Sequence, residues 1–272
     1  MAGHMIQRYL SRLGGFEVVG LARTQDSRFV DHRVDVENLS QLADVLKAVQ
    51  PAVVVNCVGV LNTAADDDPE RAVLLNSYLP HWLARMGDEL GFRLIHLSTD
   101  CVFSGATGGY IESSEPDGTT MYARTKALGE VRLPHHLTFR TSIVGPELKR
   151  NGSGLLEWFL RQSGPVPGYA SVLWTGVTTL ELAKAVHAAI EENLSGLYHL
   201  VPDKVISKED LLREMARAFE VHDAQVVPQG TPQCQRTLVC TRTDFSFHVH
   251  DYGPMLDELA KAVYDAPELR WA

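Results

Sequence analysis

Continuously apolar segments, rich in β-branched residues, recur along the first half of this chain and alternate with helical patterns. The clearest is AVVVNCVGV at 52–60, and RLIHLSTDCVF (93–103) and LTFRTSIVG (137–145) are further predicted strands. A strand without polar alternation is typical of a parallel sheet that is covered by helices on both faces. The alternation of such strands with amphipathic helices predicts an α/β chain with a doubly wound, Rossmann-like and mostly parallel sheet.

The remaining segments extend this pattern toward both ends. Further strands are predicted at FEVVGLA (16–22) and HRVDV (32–36), and helices at 39–49, at 69–90 around Pro80, and at 122–133. After Gly145 the rhythm changes to helices, two of which begin with capping boxes, Thr178 with Glu181 and Ser207 with Asp210. We predict a sheet domain at 1–145, to which 172–192 returns, and a smaller C-terminal lobe formed by 146–171 and 193–272.

The composition excludes several classes of protein. The net charge is −9, from 25 Lys and Arg against 34 Asp and Glu, so a nucleic-acid partner is not expected. No secretory signal is present, and no apolar run approaches the roughly 20 residues that span a bilayer. No histidine spacing predicts a metal site, since His248 and His250 lack a clear third ligand. Four cysteines without a C-x-x-C pair are predicted to be reduced thiols of a cytoplasmic protein: Cys57, Cys101, Cys234 and Cys240.

The strongest chemical signal is STD (98–100) at the end of a predicted strand, followed by YARTK (122–126) at the start of a predicted helix. Tyr122 and Lys126 are four residues apart, so their side chains share one helix face. A neighbouring ammonium lowers the pKa of a phenol, which suits a tyrosine that exchanges a proton at neutral pH. Thr99 would lie at the carboxyl end of a parallel strand, where ligands bind. We predict Thr99, Tyr122 and Lys126 as catalytic residues; the alternative is a tyrosine that packs beside a solvent-reaching lysine.

Several segments resemble one known family. The sequences NCVGV, LNSYLPHWLA, LIHLSTDCVFSG, MYARTKALGE, RTSIVGPEL and GLYHLVPDKVISKEDLLREMARAF look like those of the dTDP-4-dehydrorhamnose reductases, which are extended short-chain dehydrogenase/reductases. The resemblance covers nearly the whole chain, although Cys101 stands where many relatives carry tyrosine. It implies a Thr/Tyr/Lys catalytic set, NADPH or NADH as hydride donor, and a nucleotide-linked 4-keto-6-deoxy sugar as substrate. The sheet domain would then bind the dinucleotide, and the smaller lobe would bind the substrate.

Positions on the predicted sheet indicate the cofactor contacts. Arg23 follows the strand 16–22 where an acidic residue would bind the ribose of NAD, so a cation there favours the 2′-phosphate of NADP, with a solvated surface arginine as the alternative. Asp35 and Val36 would border the adenine, and 141–144 would run beside the nicotinamide. Asn76 has packing inside its helix as an equal alternative. The full predicted set is Gly3, His4, Met5, Arg23, Asp35, Val36, Asn56, Cys57, Val58, Gly59, Asn76, Tyr122 and Lys126.

The predicted substrate contacts come from two parts of the chain. One part is the segment after the STD sequence, with Cys101, Val102 and Phe103, and the other is the smaller lobe, with Trp174 and Arg236. Trp158 and Trp174 are aromatic residues that could stack on a base, although core packing is the interpretation we favour. Arg236 either pairs with a diphosphate or is a surface arginine. The sequence leaves open the sugar, the nucleotide and the oligomeric state, and it is compatible with a homo-oligomer.

The first residues match the family pattern from its middle onward. Relatives begin with an apolar strand and a G-x-x-G-x-x-G turn, whereas GHMIQRYL resembles the following helix, with Gly3 as the last glycine. Those glycines let a backbone approach a pyrophosphate, and the strand is central in the order 3-2-1-4-5-6. A start farther upstream, a partial cloning scar in MAGHM and a natural truncation are open explanations. We expect weak dinucleotide binding, and a strand borrowed from another copy would satisfy the free strand edges.

Three functions are compatible with these residues. The first is a reductase of deoxysugar or surface-polysaccharide biosynthesis, in which Thr99 holds the carbonyl, Tyr122 gives the proton, and Lys126 tunes Tyr122 and holds the ribose. The second is a non-catalytic nucleotide-sugar-binding or regulatory subunit, which the resemblance permits because the related β subunit of methionine adenosyltransferase is regulatory. The third is a sugar-nucleotide epimerase. The fold alone does not choose among them.

Overall fold

The computed structural model describes residues 1–24, 29–148, 152, 154–266 and 269. Its strands, β1 to β13 in chain order, are Leu21–Ala22, His32–Arg33, Val53–Asn56, Arg93–Leu97, Leu137–Arg140, Ile143–Val144, Gly164–Tyr169, Val172–Trp174, Val177–Thr178, Gly196–His199, Ile206–Ser207, Ala224–Gln229 and Cys234–Gln235. Its α-helices, α1 to α10, are Ala2–Leu13, Leu39–Val49, Asn62–Asp67, Pro69–Ala72, Leu79–Leu90, Met121–Leu128, Leu155–Leu160, Thr179–Glu191, Lys208–Ala218 and Tyr252–Tyr264. A π-helical turn, Val73–Tyr78, joins α4 to α5.

Four parallel strands form the main sheet, in the order β10-β5-β4-β3. Successive residues of β4 enter different parts of the core, as the two-residue period of a strand requires. Leu94 belongs to the hydrophobic cluster that includes α2 and α5, whereas Ile95 belongs to the cluster that includes α1, α8 and α10. Both faces of the sheet are therefore covered, and the predicted α/β class with a mostly parallel sheet is confirmed.

The strands closest to the N-terminus are shorter than the sequence predicts. Of 16–22 and 32–36, only β1 and β2 are paired, with each other and in parallel. β3 pairs with β4 on one side, and within the described residues no strand lies between β1 and β3. That position is the one which the order 3-2-1-4-5-6 gives to strand 1. Because an edge without a partner lacks half of its ladder hydrogen bonds, regular pairing extends over fewer residues here.

Smaller sheets make up much of the C-terminal part. β7 pairs with β12 in parallel, and β8 pairs with β11 and β13. The segment 177–192 returns to the main body, because β9 pairs with β6 and α8 packs against α1. The predicted domain division needs two corrections. β8, at 172–174, is predicted to return to the sheet domain but pairs with β11 and β13. β10 lies in the main sheet rather than in the lobe, because it supplies the second ladder partner that β5 requires.

A buried asparagine ties the loop after β3 to α6. Asn76, in the π-helical turn, accepts a hydrogen bond from Val60 N at 2.8 Å and donates to Val60 O at 2.9 Å and to Thr125 Oγ1 at 3.1 Å. The end of α6 lies so close to this turn that a Cβ on Gly129 would overlap the carbonyl oxygen of Asn76. The helix that carries Tyr122 and Lys126 is thus packed backbone to backbone against 73–78.

This packing makes Gly129→Ala a sensitive test of the fold. The added methyl meets backbone, which cannot rotate away, so we expect a loss of about 1–3 kcal/mol in the free energy of unfolding. Urea unfolding measures it. Gly230→Ala is the matched control, because a Cβ there has no atom within 4 Å. Equal stability of the two variants would show that α6 does not depend on this close approach.

Candidate active site

Thr99 occupies a tight turn at the carboxyl end of β4. It begins the short 3₁₀ turn Asp100–Val102, where its Oγ1 accepts a hydrogen bond from Cys101 N at 3.1 Å and donates to Asp100 Oδ1 at 3.0 Å. Thr99 and Asp100 are both buried. Burial raises the pKa of Asp100, while the hydrogen bond from Thr99 and the charges of Lys208 and Arg236 oppose the rise. A buried hydroxyl is thus fixed at the end of a parallel strand, where ligands bind.

Tyr122 approaches Thr99 from the first turn of α6. The helix begins there because Thr120 caps it, with Oγ1 accepting a hydrogen bond from Ala123 N at 3.1 Å. Burial raises the pKa of Tyr122, the nearby Cys101 adds to the rise, and a hydrogen bond with the Thr99 side chain opposes it. The phenol therefore keeps its proton at neutral pH, which is the form that a proton donor requires.

Lys126, one turn farther along α6, extends toward β4. Its Nζ donates to Leu97 O at 2.5 Å and lies 3.3 Å from His96 Nε2. Burial lowers the pKa of Lys126 to about 8, and Glu130 and Cys57 oppose this shift. The sequence predicts that Lys126 lowers the pKa of Tyr122, but the geometry differs. The amine is directed to β4, and burial of the phenol dominates its ionisation.

A buried ion pair supports the end of β4. Arg140 on β5 donates from Nε and Nη2 to the two carboxylate oxygens of Glu130, at 2.5 and 2.6 Å. Ser98 Oγ donates to Glu130 Oε1 at 2.9 Å. All three side chains are buried. Because Ser98 directly precedes Thr99 in the chain, this pair fixes the backbone that carries the candidate catalytic threonine.

The start of α1 lies beside the end of β3. A Cβ on Gly3 would be 3.6 Å from Cβ of Cys57, and burial raises the pKa of Cys57 to about 12. Met5 packs in the core, whereas His4 Nε2 is buried without a hydrogen-bond partner among the described residues. The N-terminus of α1 has no side-chain cap. Free helix N–H groups bind phosphates, and an unpaired imidazole nitrogen can take a further polar partner, so these residues fit a pyrophosphate.

Two arginines lie together where β1 and β2 pair. Arg23 follows β1 and is exposed, and Arg33 on β2 donates from Nε to Arg23 O at 3.2 Å. Asp35 and Val36 follow β2 and are half-buried, beside an open depression lined by Asp35 and 37–41. The structure therefore adds Arg33 as a second cation next to the one that the sequence singles out.

The predicted cofactor contacts at the end of β3 and just after it differ in how exposed they are. Asn56 is buried, Cys57 and Val58 are half-buried, and Gly59 is exposed. Asn76 uses its amide on Val60 and Thr125, which supports the packing alternative for that residue. Of 141–144, Thr141 is buried and the last two residues form β6.

The residues after Thr99 divide between the core and the site. Val102 and Phe103 are fully buried, and Phe103 stacks on Tyr110 with the ring centroids 4.1 Å apart. Their side chains belong to the core, which leaves only their backbone for a ligand. Cys101 is half-buried and lies near Tyr122 and Asp100.

Two predicted substrate contacts, Arg236 and Trp174, come from the C-terminal part of the chain. Arg236 donates from Nε to Phe103 O at 3.0 Å. Trp174 is 4% exposed, and Lys208 Nζ lies 4.7 Å from the centroid of its ring. Stacking of a base on that face would compete with the lysine, so the structure supports packing for Trp174. Trp158 is 38% exposed.

An acidic cluster lies outside this site. Ligand atoms of Glu181, His250 and Glu258 lie within 4.8 Å of one another, which the sequence spacing of His248 and His250 does not predict. Lys184 Nζ binds both carboxylates, and His250 Nδ1 lies 2.7 Å from Glu181 Oε1. A lysine ammonium therefore supplies positive charge to this cluster.

Two further expectations concern the chain as a whole. The four cysteines are free thiols, as predicted. Among the residues that the structure describes, no helix combines the length and apolarity needed to cross a bilayer.

Sequence reasoning does not identify four residues that surround the site: His96, Glu130, Arg140 and Lys208. Arg140 has a signal that could have found it, since it is a charged residue inside an otherwise apolar strand, where a buried partner is required. The sequence does not show that Glu130 is this partner, because the pairing depends on the three-dimensional structure. His96 has a weaker signal of the same kind, and nothing in the sequence around Lys208 distinguishes it from an ordinary first-turn residue of a helix.

Comparison with known proteins shows the family of this chain. The family model described as the RmlD substrate binding domain matches residues 2–242. The dTDP-4-dehydrorhamnose reductase of Escherichia coli (strain K12) is 30% identical over 217 residues, which cover 73% of this chain and 68% of the relative. The Salmonella typhimurium enzyme of the same name is 34% identical over 185 residues, covering 61% of this chain and 60% of the relative.

A solved structure shows the same fold. The dTDP-4-dehydrorhamnose reductase from Bacillus anthracis, in complex with NADP, superimposes with a TM-score of 0.73 at 17% identity, covering 84% of this chain and 87% of that one. The resemblance drawn from the sequence motifs is confirmed. The chain belongs to the RmlD substrate-binding-domain family of dTDP-sugar reductases.

Proposed function

We propose that this chain reduces the 4-keto group of a nucleotide-linked 4-keto-6-deoxyhexose with NADPH. The observation that carries the proposal is the contact of Tyr122 with Thr99 at the end of β4, with Lys126 on the same helix. The relatives are named for dTDP-4-dehydrorhamnose, which supplies the substrate class. The NADP in the Bacillus anthracis reductase supports the choice of cofactor.

The residues around the site have distinct roles in this proposal. The nicotinamide supplies a hydride when it is bound. The Thr99 hydroxyl holds the substrate carbonyl oxygen, and Tyr122, protonated because of its burial, gives that oxygen a proton. Lys126 holds the nicotinamide ribose. Cys101, the backbone of 102–103 and Arg236, which is hydrogen-bonded to that backbone, face the sugar nucleotide.

Loss of NADPH absorbance in the presence of dTDP-4-dehydrorhamnose tests the activity directly. We expect turnover that requires both compounds. A chain that binds the nucleotide sugar, yet neither oxidises NADPH nor changes the sugar, would favour the regulatory subunit. A changed sugar without net oxidation of the cofactor would favour the epimerase. We also propose a cytoplasmic location and, as a property compatible with the open strand edges, self-association.

Cofactor affinity is a separate prediction, because β1 and β3 are each paired on one edge only in the described residues. We expect the dissociation constant for NADPH to be larger than micromolar. It should decrease when an apolar strand and a glycine turn are fused ahead of Met1. The added strand would complete both ladders, and the turn would add N–H donors for the pyrophosphate. Isothermal titration compares the two forms. Micromolar or tighter binding by the chain without the fusion would contradict the prediction.

Arg23→Asp should reverse the cofactor preference. The arginine, with Arg33 beside it, favours a 2′-phosphate, whereas a carboxylate repels it and accepts hydrogen bonds from ribose hydroxyls. The measurement is the ratio of kcat/KM for NADPH to that for NADH. Arg85→Asp is the control, since Arg85 is exposed on α5 with Glu89 as its partner. An unchanged ratio in Arg23→Asp would remove Arg23 from cofactor recognition.

A further inference from the structure

A continuous row of polar contacts runs from the loop after β3 to Lys126. Val58 N donates to Asn56 Oδ1 at 3.0 Å, and Asn56 Nδ2 lies 3.2 Å from His96 Nδ1. On the other side of the ring, His96 Nε2 lies 3.3 Å from Lys126 Nζ. Asn56, His96 and Lys126 are 3%, 0% and 4% exposed, so bulk water does not compete for these contacts.

The first contact sets the direction of the others. The backbone N–H of Val58 is a donor in every state of the protein, so the Asn56 atom that faces it is the carbonyl oxygen. The amide nitrogen of Asn56 then faces His96 and donates, which makes His96 Nδ1 the acceptor. A neutral imidazole carries one proton, and it must be on Nε2. Burial supports the neutral form, since it lowers the pKa of His96 well below its usual value.

This direction has a consequence for the lysine. The Nε2–H of His96 points at Lys126 Nζ, and an ammonium offers three donors and no acceptor. A neutral amine has a lone pair for His96 and N–H groups for Leu97 O, which lies 2.5 Å away. We propose that His96 is a positioning residue, whose Nε2–H is directed at Lys126 and lowers the proton affinity of that lysine in the ligand-free protein by favouring its neutral amine.

The groups around Lys126 are compatible with this assignment. Glu130 acts on it from just beyond the C-terminal end of α6, Cys57 from the end of β3, and His96 from β4, while the N-terminal amine acts on Cys57. The Glu130 carboxylate is already bound by Arg140. Burial of the amine is the largest influence and favours the uncharged form.

The inference extends the proposed function and rests on it in one respect. If NADPH binds beside Lys126, its phosphates favour the ammonium, so the lysine takes up a proton as the cofactor binds. The bound cofactor would then raise the fraction of Lys126 that carries a positive charge. The direction of the hydrogen bonds itself does not depend on the reaction.

The unmodified protein provides the first test. With ¹⁵N-histidine labelling, long-range ¹H–¹⁵N spectra report which ring nitrogen of His96 carries the proton, and ¹³Cε-lysine spectra report the ionisation of Lys126. Signals are assigned by their loss in His96→Phe and Lys126→Arg. We expect His96 to be in the Nε2–H form. We expect the proton affinity of Lys126 to be at least tenfold lower than that of an exposed lysine. The Nδ1–H form, or an ordinary lysine midpoint, would overturn the proposal whether or not the protein is a reductase.

A tautomer-reversing variant provides the second test. In Asn56→Asp, one carboxylate oxygen accepts from Val58 N and the other accepts from His96, so the ring proton moves to Nδ1 and Nε2 becomes an acceptor for an ammonium. We expect the proton affinity of Lys126 to rise tenfold or more. The same change in a His96→Phe background measures the charge effect alone. An equal rise in both backgrounds would show that His96 does not transmit the change, and would overturn its positioning role.

Discussion

Tyr122→Phe is expected to lower kcat by about 10²–10⁴ while the fold survives, because the variant loses only the hydroxyl that donates the proton. The phenol lies against Thr99 at the end of β4, and burial keeps it protonated. The measurement is NADPH oxidation with dTDP-4-dehydrorhamnose, with thermal unfolding recorded for each protein.

Tyr78→Phe is the matched control for this variant. Tyr78 ends the π-helical turn, and it is 48% exposed. The same loss of one phenolic oxygen there should leave kcat within a few-fold of the parent value. Similar rates in Tyr122→Phe and in the parent would exclude Tyr122 from proton transfer, whereas equal losses in the two variants would indicate a general effect on folding.

Arg140→Met is expected to cost about 3–5 kcal/mol in the free energy of unfolding, because it leaves the buried Glu130 carboxylate with only Ser98 and the half-exposed Arg132 as partners among the described contacts. Both members of the pair are buried, so water cannot replace the guanidinium. Urea unfolding measures the loss. In a chain of this size, each kcal/mol corresponds to roughly 2–4 °C in Tm.

Two comparisons make this prediction specific. Arg213→Met removes an arginine that is 48% exposed and paired with Glu209, and such surface pairs contribute about 0–1 kcal/mol. The double variant Arg140→Met/Glu130→Leu replaces the whole pair by apolar side chains and should recover much of the loss. A loss below about 1 kcal/mol for Arg140→Met, or a double variant no more stable than the single one, would contradict the role assigned to this pair.

The sequence predicts the central part of the fold because the same residues satisfy local and tertiary requirements there. The segment 93–97, with Leu94, Ile95 and Leu97, is a strand by propensity, and its burial between helices is typical of a parallel sheet. The spacing of Tyr122 and Lys126 likewise defines one helix face without any tertiary contact. At 16–22 the apolar pattern is equally clear, but pairing also needs a neighbouring strand, so only Leu21–Ala22 is regular.

The surroundings of the site could not be predicted for a different reason. The direction of the Lys126 amine depends on Leu97 and His96, which are about thirty residues away in the chain. The pairing of Glu130 with Arg140 depends on the end of α6 lying beside β5. Periodicity gives the face of a helix on which a side chain lies, but the partner it meets is set by how separate elements pack.

The π-helical turn at 73–78 limits how the length of this chain can change. Tyr78 is exposed at its end, and by burial alone it would be a residue that the protein could lose. The π-helical turn holds about one residue more than a turn of α-helix, so deleting Tyr78 would remove the bulge and move Asn76 away from Val60 and Thr125 while α5 stayed in place. Deletion of this one exposed residue would therefore break the buried hydrogen bonds of Asn76. Proteins descended from this one could carry other residues at position 78, but they would have to keep the number of residues in this turn.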